Sequence, residues 1–152
     1  MAKEIERKFL VADMSFRDMA RASERIVQGY LSLRPEATVR VRLRGNSGFL
    51  TVKGPNHGAV RDEWEYAIPA TDAMQMLQRL QCGGVIDKTR YLVDYAGHTW
   101  EVDEFHGALA PLVLAEVELT DASEVVEIPP FIAEEVTGDV RYYNSTLAAS
   151  VG

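Results

Sequence analysis

The sequence predicts a single α+β domain, residues 1–152, built on an antiparallel β-sheet with enough strands to close a barrel. Three observations predict it. Stretch after stretch alternates apolar and polar residues at period two, the mark of a half-buried strand. Short, turn-rich connections join these stretches, which suits hairpins rather than parallel crossovers. Only a few stretches carry helical spacing, and a chain of 152 residues suits one domain with a sizeable core.

Residues 3–11 alternate and form the first strand. The stretch 13–24 carries Phe16, Met19 and Ala20 at helical spacing, with Asp13 or Ser15 as the N-cap. Strands follow at 25–33, ended by Pro35, and at 37–45, where alternation is strict. Asn46-Ser47-Gly48 reads as a hairpin turn into a strand at 49–54. Pro55 to Gly58 is a loop before a strand at 59–69. The clearest helix is 71–82, capped by Thr71 or Asp72 and stopped by Gly83-Gly84. Strands are expected at 87–97, 99–107 and 112–120, then a loop from Asp121 to Pro130. The stretch 138–150 reads as a last short helix. That helix, with Arg141, Tyr142 and Asn144, is expected to cover an apolar outer face, or to plug or line one end of a barrel.

Composition narrows the function classes. A net charge of −7 argues against a nucleic-acid binder that relies on nonspecific phosphate contacts. No apolar run is long enough for a membrane-spanning helix. Lys3, Glu4, Glu6, Arg7 and Lys8 leave no apolar signal segment at the start, so a cytoplasmic address is expected. Cys82 is the single cysteine, which excludes an internal disulfide framework; before Gly83 it reads as structural. His57, His98 and His106 lack the spacing of a zinc site. Outer apolar positions are compatible with a homodimer.

The charges are sorted by strand parity. Residues i and i+2 of a strand share a face, roughly 7 Å apart. Glu4, Glu6 and Lys8 share one face of the first strand, and Arg40, Arg42 and Arg44 one face of the third. Thr51 with Lys53, Arg61 with Glu63 and Glu65, Lys88 with Arg90, Glu101 with Asp103, and Glu116 with Glu118 repeat the pattern. For any one strand a solvated face explains this, because antiparallel sheets often have a wet side. Across the set, the opposite parity is strongly apolar and must be covered, so the charged face lies either in water or around an interior. Enclosed neighbouring carboxylates repel by about 4 kcal/mol at 4 Å with an effective dielectric near 20. Carboxylate clusters call for hard divalent cations, and Arg and Lys clusters for phosphates. A metal-chelated polyphosphate satisfies both.

EIERKF resembles the ExExK signature of the CYTH superfamily, also called triphosphate tunnel metalloenzymes. The resemblance continues through VRVRL, LTVKG, DEWEY, KTRY, WEVDEF and LAEVEL to EVTGDVRYYNSTLA. It implies a closed eight-stranded antiparallel barrel with helices packed outside, and metal-dependent attack on a triphosphate within the tunnel. By that resemblance Glu4, Glu6 and Glu118 hold the principal metal, Mg²⁺ or Mn²⁺, with Glu116 beside them. Lys8, Arg40, Arg42, Lys53, Lys88 and Arg90 hold the phosphates. Glu63, Glu65 and Asp103 become candidates for a second metal and for positioning the attacking water, with Lys8 and Lys88 counted among the catalytic groups. Glu101 shares the face of Asp103; Arg44 and Arg61 have the right parity but are assigned to the tunnel mouth; Tyr30 is a candidate to orient Lys88.

The short chain and modest loops favour inorganic triphosphate, split to phosphate and diphosphate. A class IV-type adenylyl cyclase or an organic triphosphatase acting on thiamine or nucleoside triphosphate is the alternative. It should carry an aromatic platform at the mouth, yet Trp64 and Trp100 point outward by parity. A non-catalytic polyphosphate binder is the third reading, disfavoured by the number of acids.

Overall fold

The computed structural model describes residues 3–151. Its strands are β1 (Lys3–Val11), β2 (Ala22–Ser32), β3 (Thr38–Arg44), β4 (Ser47–Lys53), β5 (Val60–Ile68), β6 (Cys82–Tyr95), β7 (His98–Phe105), β8 (Val113–Glu118) and β9 (Ile132–Glu135). Helices α1 (Phe16–Met19), α2 (Ala70–Arg79) and α3 (Asn144–Val151) are joined by two single-turn 3₁₀ segments, Gly107–Leu109 and Val140–Tyr142. No helix among the described residues is long and apolar enough to cross a membrane.

Eight strands close a barrel in the circular order β1-β5-β4-β3-β2-β6-β7-β8, with every neighbour antiparallel. The joint is β1. Its first residues pair with β5, from Lys3↔Asp62 to Ile5↔Val60, and its later ones with β8, from Glu6↔Glu118 to Leu10↔Leu114. The short β9 adds to β1 through Phe9↔Glu135 and Val11↔Ile132. Closure satisfies the backbone groups that an open sheet edge would leave unpaired.

Alternation sorts side chains to the two faces of this wall. Phe9, Val93, Trp100, Val102, Ala115 and Val117 point outward and are buried under Phe16 of α1 and the segment carrying Leu119, Val126 and Phe131. Val41 is buried, and its neighbours Leu43 and Leu50 partly buried, under Ala73 and Leu77 of α2. The helix sits close because Gly48 leaves it room: a Cβ there would lie 2.9 Å from the Ile68 carbonyl oxygen and 3.0 Å from the Ala73 Cβ. A third apolar cluster lies at one end of the barrel. Tyr30, Ile86, Phe105 and Leu114, with Leu10, belong to the inward parity and pack against Leu147 and Ala148 of α3. The C-terminal helix therefore closes over part of a barrel end, and the outer faces are covered by other segments.

Several boundaries differ from the sequence expectation. The helix expected over 13–24 is only Phe16–Met19, because Ala22 and Ser23 pair with Leu92 and Tyr91 as the start of β2. Phe16 still does what its spacing promised and is fully buried. The β3–β4 hairpin turns at Gly45-Asn46, with Gly45 at φ +59° and Arg44 opposite Ser47, one residue before the expected Asn46-Ser47-Gly48. Helix α2 starts behind Pro69 rather than behind Thr71 or Asp72. Gly83-Gly84 do not stop it. They belong to β6, whose first residue is the exposed Cys82, and they form the seat of α3: a Cβ on Gly84 would lie 2.7 Å from the Val151 backbone. Strand β9 was not expected; it is fixed by the buried Phe131 and by Glu135, which receives two hydrogen bonds from Arg7 at 2.9 and 2.8 Å.

Candidate active site

The inward parity of β1, β3, β4, β5, β6, β7 and β8 brings the charged pairs around one cavity of about 270 Å³. Its wall includes Glu4, Glu6 and Lys8 from β1, Arg40, Arg42 and Arg44 from β3, and Lys53 from β4. Arg61, Glu63 and Glu65 come from β5, Arg90 from β6, Glu101 from β7, and Glu116 with Glu118 from β8. Cross-strand register explains the grouping. Glu6 faces Glu118, Lys8 faces Glu116, Thr51 faces Glu65, and Lys53 faces Glu63. Arg44 and Arg61, assigned to the mouth from sequence, both line this cavity.

The wall balances its charges internally. Lys53 Nζ donates to both Glu4 oxygens at 3.0 Å and lies 3.3 Å from Glu63. Glu65 Oε2 accepts from Thr51 at 3.0 Å and from Arg42 Nη2 at 3.3 Å, and sits 3.6 Å from Arg40. Arg90 Nη1 donates to Glu101 at 3.0 Å. The Nε groups of Arg40 and Arg42 are buried with no partner among the described residues. Both side chains line the cavity, and two adjacent guanidinium groups there suit an anion. Burial, with Arg40 and Arg90 nearby, lowers the Arg42 pKa to about 10.

The carboxylates are crowded enough to share protons. Burial pushes the Glu6 carboxyl well above its ordinary range, and the charges of Glu116 and Glu4 add to it. Burial opposes ionisation of Glu116 too, but Lys8, a hydrogen bond from Glu6, and Arg90 hold it far below that range. Burial and a hydrogen bond shared with Glu4 raise Glu63 to about 7. Among the described residues no three acids or histidines are already drawn into metal-ligand geometry. Glu4 leans on Lys53 and Glu6 on Glu116 instead. The donor set itself is all carboxylate oxygen, and the crowding that drives the Glu6 carboxyl toward its protonated form is what a hard divalent cation would relieve.

Two residues expected in the wall lie behind it. Lys88 and Asp103 are each 1% exposed and do not line the cavity. Asp103 receives Arg90 Nε at 2.8 Å and Nη2 at 2.9 Å, a two-pronged pair, and lies 2.7 Å from Lys88 Nζ. Burial opposes the Asp103 charge, but Arg90 and Lys88 hold its pKa at about 2. Burial pulls Lys88 down to about 8 against the attraction of Asp103. With its oxygens committed to these cations, Asp103 is arranged to hold Arg90 and Lys88 rather than to face a ligand. Tyr30 lines the cavity and also packs in the end cluster. Trp100 is fully buried in the outer core, as its parity required.

Of the two places open to the C-terminal helix from sequence, the structure selects the barrel end, and it adds residues ahead of the helix to the wall. Thr137, Gly138, Tyr143, Asn144 and Ser145 line the cavity, and Lys8 Nζ donates to the Tyr142 carbonyl at 2.9 Å. The local pattern of 137–145 does not say which of these residues face the cavity, since their partners, such as Lys8 and Lys88, lie far away in the chain.

A closed antiparallel barrel with apolar residues outside and acids facing cations inside defines a class, the charged-tunnel barrels. The chain belongs to one family of them: the CYTH domain family model matches residues 2–147. The inorganic triphosphatase of Acetivibrio thermocellus is 45% identical over 147 residues, covering 97% of this chain and 94% of the relative. That of Nitrosomonas europaea is 42% identical over 155 residues, covering 97% and 98%. A crystal structure of an inorganic triphosphatase superposes with a TM-score of 0.70 at 38% identity, over 99% of this chain and 97% of the other. A Pyrococcus horikoshii protein at 20% identity and TM-score 0.63 shares the fold over 78% of this chain and 80% of its own.

Proposed function

We propose that this chain, acting as one domain over 1–152, hydrolyses inorganic triphosphate to phosphate and diphosphate inside its barrel with Mg²⁺ or Mn²⁺. One observation carries the reading: acids on β1 and β8 and cations on β3, β4 and β6 surround a single cavity. Relatives that are inorganic triphosphatases align with nearly the whole chain. The volume suits a small polyanion. About 270 Å³ holds roughly nine waters at ~30 Å³ each, room for a triphosphate.

Glu4, Glu6 and Glu118, with Glu116 beside them, are the residues that would hold the metal. When bound, a divalent ion supplies charge neutralisation on the phosphoryl oxygens and lowers the pKa of water. Arg40, Arg42, Lys53, Arg90 and Lys8 bind the phosphates, and Lys88 supports them from behind. Phosphoryl transfer asks mainly for positioning and charge stabilisation, which these cations provide. Water oxygen bonds to a terminal phosphorus, the bridging P–O bond breaks, and diphosphate leaves with its charge held by the cations. Glu63, raised to about 7, is suited to accept the proton released by the water near neutral pH. Glu65 holds Arg40 and Arg42 in register and is the second acid near that step. Asp103 orients Arg90 and Lys88. The small-molecule substrate and a cytoplasmic address belong to the same reading.

The test is phosphate release from inorganic triphosphate, ATP, thiamine triphosphate and long polyphosphate, each with Mg²⁺ or Mn²⁺, beside an assay for cyclic AMP. Selective release from inorganic triphosphate, lost in Glu6→Gln and in Arg42→Ala, is the expected result. Cyclic AMP from ATP, or turnover indifferent to both substitutions, refutes it.

A further inference from the structure

Lys88 is separated from the cavity by a side chain of the C-terminal helix. Asn144 lines the cavity with Lys8, Arg40 and Arg42, whereas Lys88 does not. Asn144 Oδ1 accepts from Lys88 Nζ at 3.3 Å and from Gln28 Nε2 at 3.2 Å. An ammonium only donates, so the side toward Lys88 must be the amide oxygen, and the usual ambiguity of an Asn orientation is removed. Gln28 is fully buried and leaves its own Oε1 without a partner among the described residues while giving its NH₂ to that oxygen. Both donors thus hold Asn144 in one orientation. Its Nδ2 is left with no hydrogen bond among the described residues and is not sealed from solvent.

We propose that Asn144 is a substrate-contacting residue whose Nδ2 donates to a phosphate oxygen in the cavity, with Lys88 acting through it. The inference rests on the reading that the cavity takes a triphosphate. The charge of Lys88 on Oδ1 polarises the amide and strengthens the N–H as a donor, as in any chain of hydrogen bonds in a poorly solvated site. Lys88 keeps its place beside Asp103, 2.7 Å away, and need not leave its buried pair to serve the ligand. The C-terminal helix thereby supplies part of the anion site, and Leu147 and Ala148 anchor it on the apolar end cluster.

Asn144→Asp separates this role from a structural one. The two side chains have the same shape, and the carboxylate still accepts from Lys88 and Gln28, so the melting temperature should hold or rise. It turns the cavity-facing donor into an acceptor. Triphosphate affinity, read by calorimetry in EDTA where no turnover is expected, should fall roughly ten- to a hundredfold, with KM in the Mg²⁺ assay rising in parallel. Asn144→Ala, which loses the donor without adding charge, should lose roughly three- to tenfold. Affinity within threefold of the parent in whichever of the two variants folds overturns the proposal. If the parent binds triphosphate without turning it over in the Mg²⁺ assay, the hydrolase reading fails while the calorimetry still decides the role of Asn144. A parent that does not bind triphosphate refutes both.

Discussion

Removing the charge of Asp103 tests how the cation wall is held. Asp103 is 1% exposed and is the shared counter-charge of Arg90, whose side chain is 8% exposed, and of Lys88, 1% exposed. In Asp103→Asn, Arg90 retains Glu101 at 3.0 Å and Glu116 at 3.7 Å. Lys88 retains Asn144 and the face of the Phe105 ring, with no counter-charge in contact among the described residues, and faces an amide. Breaking one member of a buried ion pair typically costs about 3–5 kcal/mol. Linkage gives an independent figure: a folded pKa of about 2 against an ordinary 3.8 is worth about 2 kcal/mol. A loss of about 2–5 kcal/mol should therefore lower the urea midpoint by roughly 1–3 M at neutral pH. The pH profile carries a further check. A depressed carboxyl stabilises above its unfolded pKa and loses that stabilisation as pH falls through the folded one. The gap between parent and variant should thus persist from pH 7 to 4 and close between about 4 and 2. The assay is urea denaturation of the metal-free protein, followed by tryptophan fluorescence. A gap below about 1 kcal/mol at pH 7, or one already closed at pH 5, refutes the reasoning.

The raised Glu63 has the opposite sign. Its folded form keeps a proton that the unfolded chain loses, so stability of the metal-free protein should decline as pH rises from 4.5 to about 7. Allowing for its partial exposure, the decline is about 1–2 kcal/mol, and Glu63→Gln should flatten it in thermal melts across pH 5–8. Identical slopes for the two proteins argue against the shared proton. Gly48→Ala presses a methyl on the Ile68 carbonyl and Ala73, whereas Gly29→Ala meets the tip of Leu77 at 3.0 Å. The first should cost about 1–3 kcal/mol and the second clearly less, read by denaturation; equal costs would count against α2 being seated on the backbone of Gly48. Chelation with EDTA is expected to abolish triphosphate hydrolysis while leaving far-UV circular dichroism unchanged, and added Mg²⁺ should restore it. Full turnover in excess chelator contradicts the assignment of Glu4, Glu6 and Glu118 to a metal.

Much of this molecule was legible residue by residue. Parity along β1, β3, β6 and β8 put Glu4, Glu6, Arg40, Arg42, Arg90 and Glu116 on one face, and the register brings those faces together around the cavity. The boundaries that failed did so where a distant strand overrode local preference. Arg21 to Ser23 continue a helical pattern after Met19, but hydrogen bonding to β6 is available only in the extended form. Gly83-Gly84 carry the local mark of a helix stop, yet their use is to let α3 approach β6.

The sequence alone determined which side chains are inward and which outward, because period two is a property of each strand by itself. Tertiary structure decided depth and company. Closure on β1 turned a charged face into a cavity wall. The same inward parity then gave three fates: Arg90 at the wall, Lys88 and Asp103 sealed behind it, and Ile86 and Phe105 in the apolar end. Which fate a residue meets depends on what arrives from elsewhere in the chain, here α3 with Asn144 and Leu147. Burial, ion pairing and shared protons are set by neighbours in space, and the pattern along a strand does not contain them.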